Sequence, residues 1–203
     1  LVALLATAAL GATWSSCSPD FGVTAILDRL GQIKPKVLFA AASYRYGGKE
    51  HDISSRVVDI VRGMPSVQHL VVTSGHMDAD LGEGIALHDY AMFGRESPLT
   101  FERVPFRHPL YVLYTSGTTG APKAIVHSTG GVLLQHVKEH GLHGDVRKGD
   151  VVSWYTNTAW MMYHWLISAL ACEASILLYD GAPILKTASG LDVTPLWTAS
   201  EKA

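Results

Sequence analysis

The chain has 203 residues, 48% of them hydrophobic and 17% charged, with a formal net charge of −2. That length can bury a sizeable core in one globular domain, and the near-neutral balance excludes a polybasic nucleic-acid binder. Cys17 and Cys172 are the only cysteines, so no disulfide framework is implied and a reducing compartment is expected.

The chain opens in an apolar stretch, Leu1 to Ala12, with no basic segment ahead of it and too short to span a bilayer. It reads as a core helix cut by the start of the sequence. Ser18-Pro19-Asp20 caps a helix predicted from about Val23 to Leu30 and closed by Gly31. Val37 to Ala40 reads as a strand. Ile53, Val57, Val58 and Val61 recur at helical spacing up to Gly63. Leu70 to Val72 is a second strand. Residues 74–108 are less regular and are expected to form a connection with a short helix near Ile85 to Phe93. Leu110 to Leu113 is a third strand.

Gly131 to His140 predicts a helix closed by Gly141. Val151 to Tyr155 and Ser175 to Tyr179 predict strands on either side of a mostly apolar helix, Trp160 to Cys172. Leu196 to Glu201 looks like a helix just under way, and both abrupt ends suggest an internal piece of a longer protein. Strand-helix alternation argues an α/β fold with a mainly parallel sheet flanked by helices. Ligands of such sheets sit at the carboxyl ends of the strands.

The third strand runs into Tyr114-Thr115-Ser116-Gly117-Thr118-Thr119-Gly120-Ala121-Pro122-Lys123. Glycines let backbone N–H groups approach an anion, hydroxyls donate to its oxygens, and a lysine adds a point charge. Polyphosphate is the ligand that asks for this combination. The spacing is not that of a Walker A loop, because Lys123 follows Gly120 by three residues with Pro122 between. Nor is it the dinucleotide-binding Gly-x-Gly-x-x-Gly.

A second pattern competes. His136-Val137-Lys138-Glu139-His140 fits the inverted zincin order H-x-x-E-H, which on a helix sets two imidazoles one turn apart. It falls at a helix end with no clear third ligand, so solvated histidines on a polar face are the simpler expectation.

The glycine-rich loop resembles the phosphate loop of the adenylate-forming superfamily: acyl-CoA synthetases, luciferases and peptide-synthetase adenylation domains. The superfamily order is Ser/Thr, Ser/Gly, Gly, Ser/Thr, Thr, Gly, any residue, Pro, Lys. Thr115 through Lys123 matches every specified place. Further segments resemble its acetoacetate–CoA ligase branch. They include Gly11 to Gly22, Lys36 to Phe39, Tyr46-Gly47-Gly48-Lys49-Glu50-His51, His108-Pro109-Leu110, Pro122 to His127, Gln135 to His140, Trp160-Met161-Met162 and Leu178 to Pro183. Departures are Ala159 in place of a usual Gly, Tyr163-His164 in place of a common Trp-Asn, and an irregular stretch over residues 184–195.

The resemblance implies that residues 1–203 are part of a large AMP-binding N-terminal domain, with the C-terminal lid domain absent. It implies a cytosolic ligase converting acetoacetate, ATP and CoA to acetoacetyl-CoA, AMP and pyrophosphate through an acyl-adenylate, with Mg²⁺. Its partners would be these small molecules, with no nucleic acid and no membrane span. Thr115, Ser116, Gly117, Thr118, Thr119, Gly120 and Lys123 would cradle the ATP phosphates. Trp160, Met161 and Met162 would shape the acyl pocket or else be ordinary core of an apolar helix, with His164 either facing substrate or satisfied in the interior. Arg45 and Lys49, expected in a Tyr/Gly-rich loop after a strand, would be candidates for the CoA phosphate, with a solvated loop charge as the simpler expectation for each.

The family's Mg²⁺-binding Glu and adenylating Lys fall beyond the matched segments. No catalytic residue is therefore assigned here, and the piece alone is expected to have little or no turnover. Alternatives are a related synthetase for acetate, propionate or 3-hydroxybutyrate, and a truncated nucleotide-binding module without catalysis.

Overall fold

A computed structural model describes residues 1–92, 94, 96–115 and 120–203. In chain order the elements are α1 (Val2–Ala9), β1 (Trp14–Ser15), α2 (Val23–Ile33), β2 (Val37–Ala41), β3 (Ser43–Tyr46), β4 (Lys49–Asp52), α3 (Ser54–Arg62), β5 (His69–Ser74) and β6 (Ala86–Asp89). They continue with β7 (Pro109–Tyr114), β8 (Ala124–Ser128), α4 (Thr129–Lys138), β9 (Val151–Ser153), α5 (Met161–Ser168), β10 (Ser175–Leu177), β11 (Leu185–Thr187), β12 (Gly190–Asp192) and α6 (Pro195–Glu201).

The architecture is mixed α/β. Strands β2, β5 and β6 form a parallel sheet, and β9 pairs parallel with β10. A third sheet runs β1-β7-β8, with β1 parallel and β8 antiparallel to β7. Two antiparallel hairpins, β3-β4 and β11-β12, complete the pairing seen among the described residues.

Helix α3 shows how the core is built. Its 3.6-residue period puts Val57 and Val61 on one face and Ile60 on another. Val57 and Val61 pack with Leu70 and Val72 of β5, while Ile60 packs with Ile26 and Leu30 of α2. One helix therefore serves two clusters. Its start is fixed by the Asp52 carboxylate, which accepts the Ser54 N–H at 2.8 Å. Its end is fixed by Gly63, where a Cβ would lie 2.8 Å from the Leu27 side chain. A third cluster joins Leu4 of α1 to Tyr163 and Ile167 of α5.

The structure corrects several expectations. Helix α2 is entered from Gly22 rather than capped by Ser18-Pro19-Asp20, and it passes through Gly31 to Ile33 before Lys34 turns left-handed at φ 50. Ile33 packs on the Ile26 cluster, which offsets the roughly 1 kcal/mol weakness of a helical glycine. Gly141 does not end α4. A single π-helical turn, Glu139–His143, contains it and closes where the Gly144 N–H donates to the Glu139 carbonyl at 2.9 Å.

The helix expected near Ile85 to Phe93 is instead strand β6 followed by a short 3-10 turn, Tyr90–Met92; Phe93 itself lies outside the described residues. The backbone groups along the edge of β5 recruit this segment, and pairing outweighs its local preference. Finally, Arg45 and Lys49 are not in a loop after a strand. They sit within hairpin β3-β4, whose turn residues Gly47 and Gly48 have φ +58 and +77, as a two-residue type I′ turn requires.

Leu70 is fully buried between α3 and the sheet. Leu70→Ala is expected to lower unfolding free energy by about 2–5 kcal/mol, read from urea denaturation.

Candidate functional site

Strand β7 is the middle strand of its sheet, and Tyr111, Val112 and Leu113 are all buried. The chain leaves it at Thr115 and returns along β8, beginning at Ala124, so residues 115–123 connect neighbouring antiparallel strands. Two hydrogen bonds close the base of this connection. The Thr115 N–H donates to the Lys123 carbonyl at 3.1 Å, and the Lys123 N–H donates to Thr115 Oγ1 at 3.1 Å. Gln32 Nε2 on α2 donates to the Pro122 carbonyl at 2.8 Å. Thr115 is half-buried, while Gly120 and Lys123 are exposed, and Gly120 has φ +152. Ser116, Gly117, Thr118 and Thr119 lie outside the described residues.

A cavity of about 500 Å³ opens between β3, the segment 154–158 and the turn after β10. Arg45 of β3 lines it together with Tyr44, Tyr46 and Tyr179. A smaller cavity of about 300 Å³ shares the wall Trp154-Tyr155-Thr156-Asn157 and adds Trp160 and Met162. The structure thus brings Trp160 and Met162 to one cavity wall. Met161, 48% exposed, and His164, 3% exposed, line neither cavity. Lys49 is exposed on β4, opposite Tyr46.

Hydrogen bonds tie the cavity wall to the root of the loop. Ser15 Oγ donates to the Val112 carbonyl at 2.9 Å and to Tyr114 Oη at 3.2 Å. Next along the chain, Ser16 Oγ donates to the Thr158 carbonyl at 2.5 Å, and Thr158 Oγ1 donates to the Cys17 carbonyl at 2.8 Å. Residues 15–17 therefore fasten the strand under the loop to Thr158, on the wall of the larger cavity. Sequence reasoning missed this tie, and it also extended strand β9 through Trp154 and Tyr155. The Thr-Asn-Thr run was the available signal. The Asn157 carboxamide accepts the Ala159 N–H at 3.0 Å, a local turn that ends extended structure.

The zincin pattern fails on geometry. His140 is fully buried, and its Nε2–H donates to the Trp165 carbonyl at 2.9 Å. His136 is also buried, so neither histidine is solvated as expected. Glu139 points outward and pairs with Lys138 at 2.9 Å. Among the described residues no three His, Cys, Asp or Glu side chains come together as a metal site.

A family model described as "AMP-binding enzyme" matches residues 1–195. The chain belongs to the AMP-binding enzyme family. Its acetoacetyl-CoA synthetase relatives include that of Danio rerio, 47% identical over 93% of this chain and 30% of the relative. That of Rhizobium meliloti is 47% identical over 89% of the chain and 28% of the relative. A malonamoyl-CoA synthetase from Penicillium aethiopicum is 42% identical over 90% and 27%.

The solved acetoacetyl-CoA synthetase from Streptomyces lividans superposes with a TM-score of 0.83 at 47% identity, covering 90% of this chain and 28% of that one. This AMP-binding chain therefore spans about three tenths of the length of the curated relatives it matches. Its α/β organisation is that of the N-terminal part of the adenylate-forming fold. No helix among its described residues is long and apolar enough to cross a membrane.

Thr115→Val removes the hydroxyl acceptor of the Lys123 N–H. The Lys123 amide is expected to exchange with solvent roughly fivefold faster, equivalent to about 1 kcal/mol, in native-state hydrogen exchange.

Proposed function

We propose that residues 1–203 form the phosphate-loop portion of a large N-terminal AMP-binding domain in a longer acid–thiol ligase, one that joins acetoacetate to CoA with cleavage of ATP to AMP and pyrophosphate. What carries the reading is a closed connection of the phosphate-loop sequence, residues 115–123, on the buried strand β7, in a chain 47% identical to acetoacetyl-CoA synthetases. The free cysteines suit a cytosolic, reducing compartment. The net charge of −2 suits small-molecule substrates rather than nucleic acid.

In the first half-reaction a carboxylate oxygen of the acid attacks the α-phosphorus. The bond to the bridging oxygen of the β-phosphate breaks, and pyrophosphate leaves. Negative charge on the departing phosphates is met by fixed donors. Lys123 supplies the ammonium, and Thr115, Ser116, Gly117, Thr118, Thr119 and Gly120 supply N–H and hydroxyl groups. In the second half-reaction the thiol sulfur attacks the acyl carbon, AMP departs with the bridging oxygen, and the thiol proton passes to solvent.

Arg45, in the larger cavity, is assigned to a CoA phosphate, with Lys49 farther along the same hairpin. Trp160 and Met162 bound the smaller cavity and limit acyl length by exclusion. Met161 flanks them. Mg²⁺ accompanies ATP and screens its phosphates. Among the described residues no three His, Cys, Asp or Glu side chains come together to hold it.

A second acid is favoured by one observation, the 42% identity to a malonamoyl-CoA synthetase, whose acid has an amide where acetoacetate has a methyl ketone. Acid-dependent ATP–pyrophosphate exchange by the full-length polypeptide should rank acetoacetate above malonamate, 3-hydroxybutyrate, propionate and acetate in kcat/KM. A preference for acetate or propionate would move the chain to another branch. Lys123→Ala should lower exchange roughly 10- to 100-fold. Residues 1–203 alone should show little or no turnover.

A further inference from the structure

Helix α5 follows directly on Trp160, on the wall of the smaller cavity, and one turn later places His164 in the interior at 3% exposure. The His164 Nδ1–H donates to the Trp160 carbonyl at 3.3 Å, holding the first turn of the helix. That tautomer leaves Nε2 as a lone-pair acceptor, buried and without a hydrogen-bond partner among the described residues. The ring lies 4.5 Å from that of Tyr111 on β7 and 5.5 Å from that of Tyr163, edge-on.

The charges that bear on His164 are also imidazoles. His127 of β8 and His136 of α4 both oppose its protonation. The His127 ring lies 5.1 Å from that of Tyr111, tilted 39° to it. His136 and His140 of the neighbouring helical segment are themselves buried, each with an unpartnered Nδ1. The charged side chains nearest them in sequence, Lys138 and Glu139, pair with each other at the surface. No carboxylate contributes to the electrostatics of His164.

We propose that His164 is a positioning residue: its neutral imidazole clamps the Trp160 end of α5 against β7, the strand that carries the phosphate loop, and protonation releases that clamp and the Trp160–Met162 wall. A second proton on Nε2 would place a charge and an unpaired donor in a site with no acceptor, beside two further imidazoles. Burial holds the His164 pKa down at about 4; the bond to the Trp160 carbonyl opposes this, and His127 and His136 add to it. The sign follows directly. The unfolded chain binds the proton at ordinary histidine pH and the folded chain does not, so the contribution to stability is complete above about pH 6.5 and is lost as pH falls towards 4. The consequence for substrate rests on the proposed acyl role of the smaller cavity, whereas the clamp does not.

The test compares full-length wild type with His164→Asn, whose amide keeps a neutral donor for the Trp160 carbonyl but cannot take a proton. Between pH 7.5 and 4.5 the wild-type unfolding constant, from urea denaturation, should rise roughly tenfold to a hundredfold more than that of the variant. Parallel curves would overturn the clamp. In parallel, histidine-selective ¹⁵N spectra of the wild type should retain one neutral Nδ1–H imidazole, absent from the variant, below pH 5.5. Ordinary titration of every histidine would overturn the clamp even if the variant failed to fold. On acidification from pH 5.5 to 4.5, where the folded-state ring begins to take its second proton, KM for the acid should rise more steeply in wild type than in His164→Asn. Divergent stability with matching KM profiles would uphold the clamp and sink the acyl role of the cavity.

Discussion

Burial of β7 is the constraint on which the rest depends. Tyr111, Val112 and Leu113 are packed on both faces, with β1 on one edge and β8 on the other. Pairing on both edges, to Trp14 and Ser15 of β1 and to residues 124–128 of β8, sets the register of the strand. The position of Thr115 is fixed as a result, and with it the base of the connection that Lys123 closes. The same strand presents Tyr111 to His127 and His164, and its Val112 carbonyl to Ser15. Loop, cavity wall and histidine joint are thus referred to one rigid line.

Much of this was legible in the residues. Apolar runs at Val37, Leu70 and Leu110 marked strands because strands covered on both faces, as β5 and β7 are at their centres, have little need of alternation. Helix α3 was readable from its spacing and its closing glycine. Strands β3, β4 and β6 were not, since their side chains are mostly polar or exposed and their pairing is decided by a partner distant in sequence. The Gly47-Gly48 turn was the one local clue to the hairpin. Gly31 and Gly141 misled for a common reason. Each lies in a helical turn held by packing of its neighbours, Ile33 in one case and His140 in the other.

The candidate site divides in the same way. A dense run of glycines and hydroxyls suggested a phosphate loop, and of that run the structure describes Thr115 and the stretch from Gly120 to Lys123, joined at the base. The cavities did not announce themselves. Their walls are assembled from β3, residues 154–157, α5 and the turn near Gly181, and each contributes only a few side chains. The histidines illustrate the limit of pattern alone. His136 and His140 have the spacing of a metal pair, yet the π-helical turn carries His140 inward onto the Trp165 carbonyl. Spacing places two rings on one face; only packing decides what that face meets.

The antiparallel return of β8 has a mechanical corollary. In a crossover unit, the segment after a glycine-rich turn is a helix, and any change in the turn pushes on a whole cylinder. Here the path after Lys123 is a strand already registered against β7, from Tyr114↔Ala124 to Val112↔Val126. Rearrangement between Thr115 and Lys123 is therefore insulated from α4, which starts only at Thr129, at the opposite end of that strand. Strand pairing, and not the connection before it, sets where the chain from Ala124 onward runs.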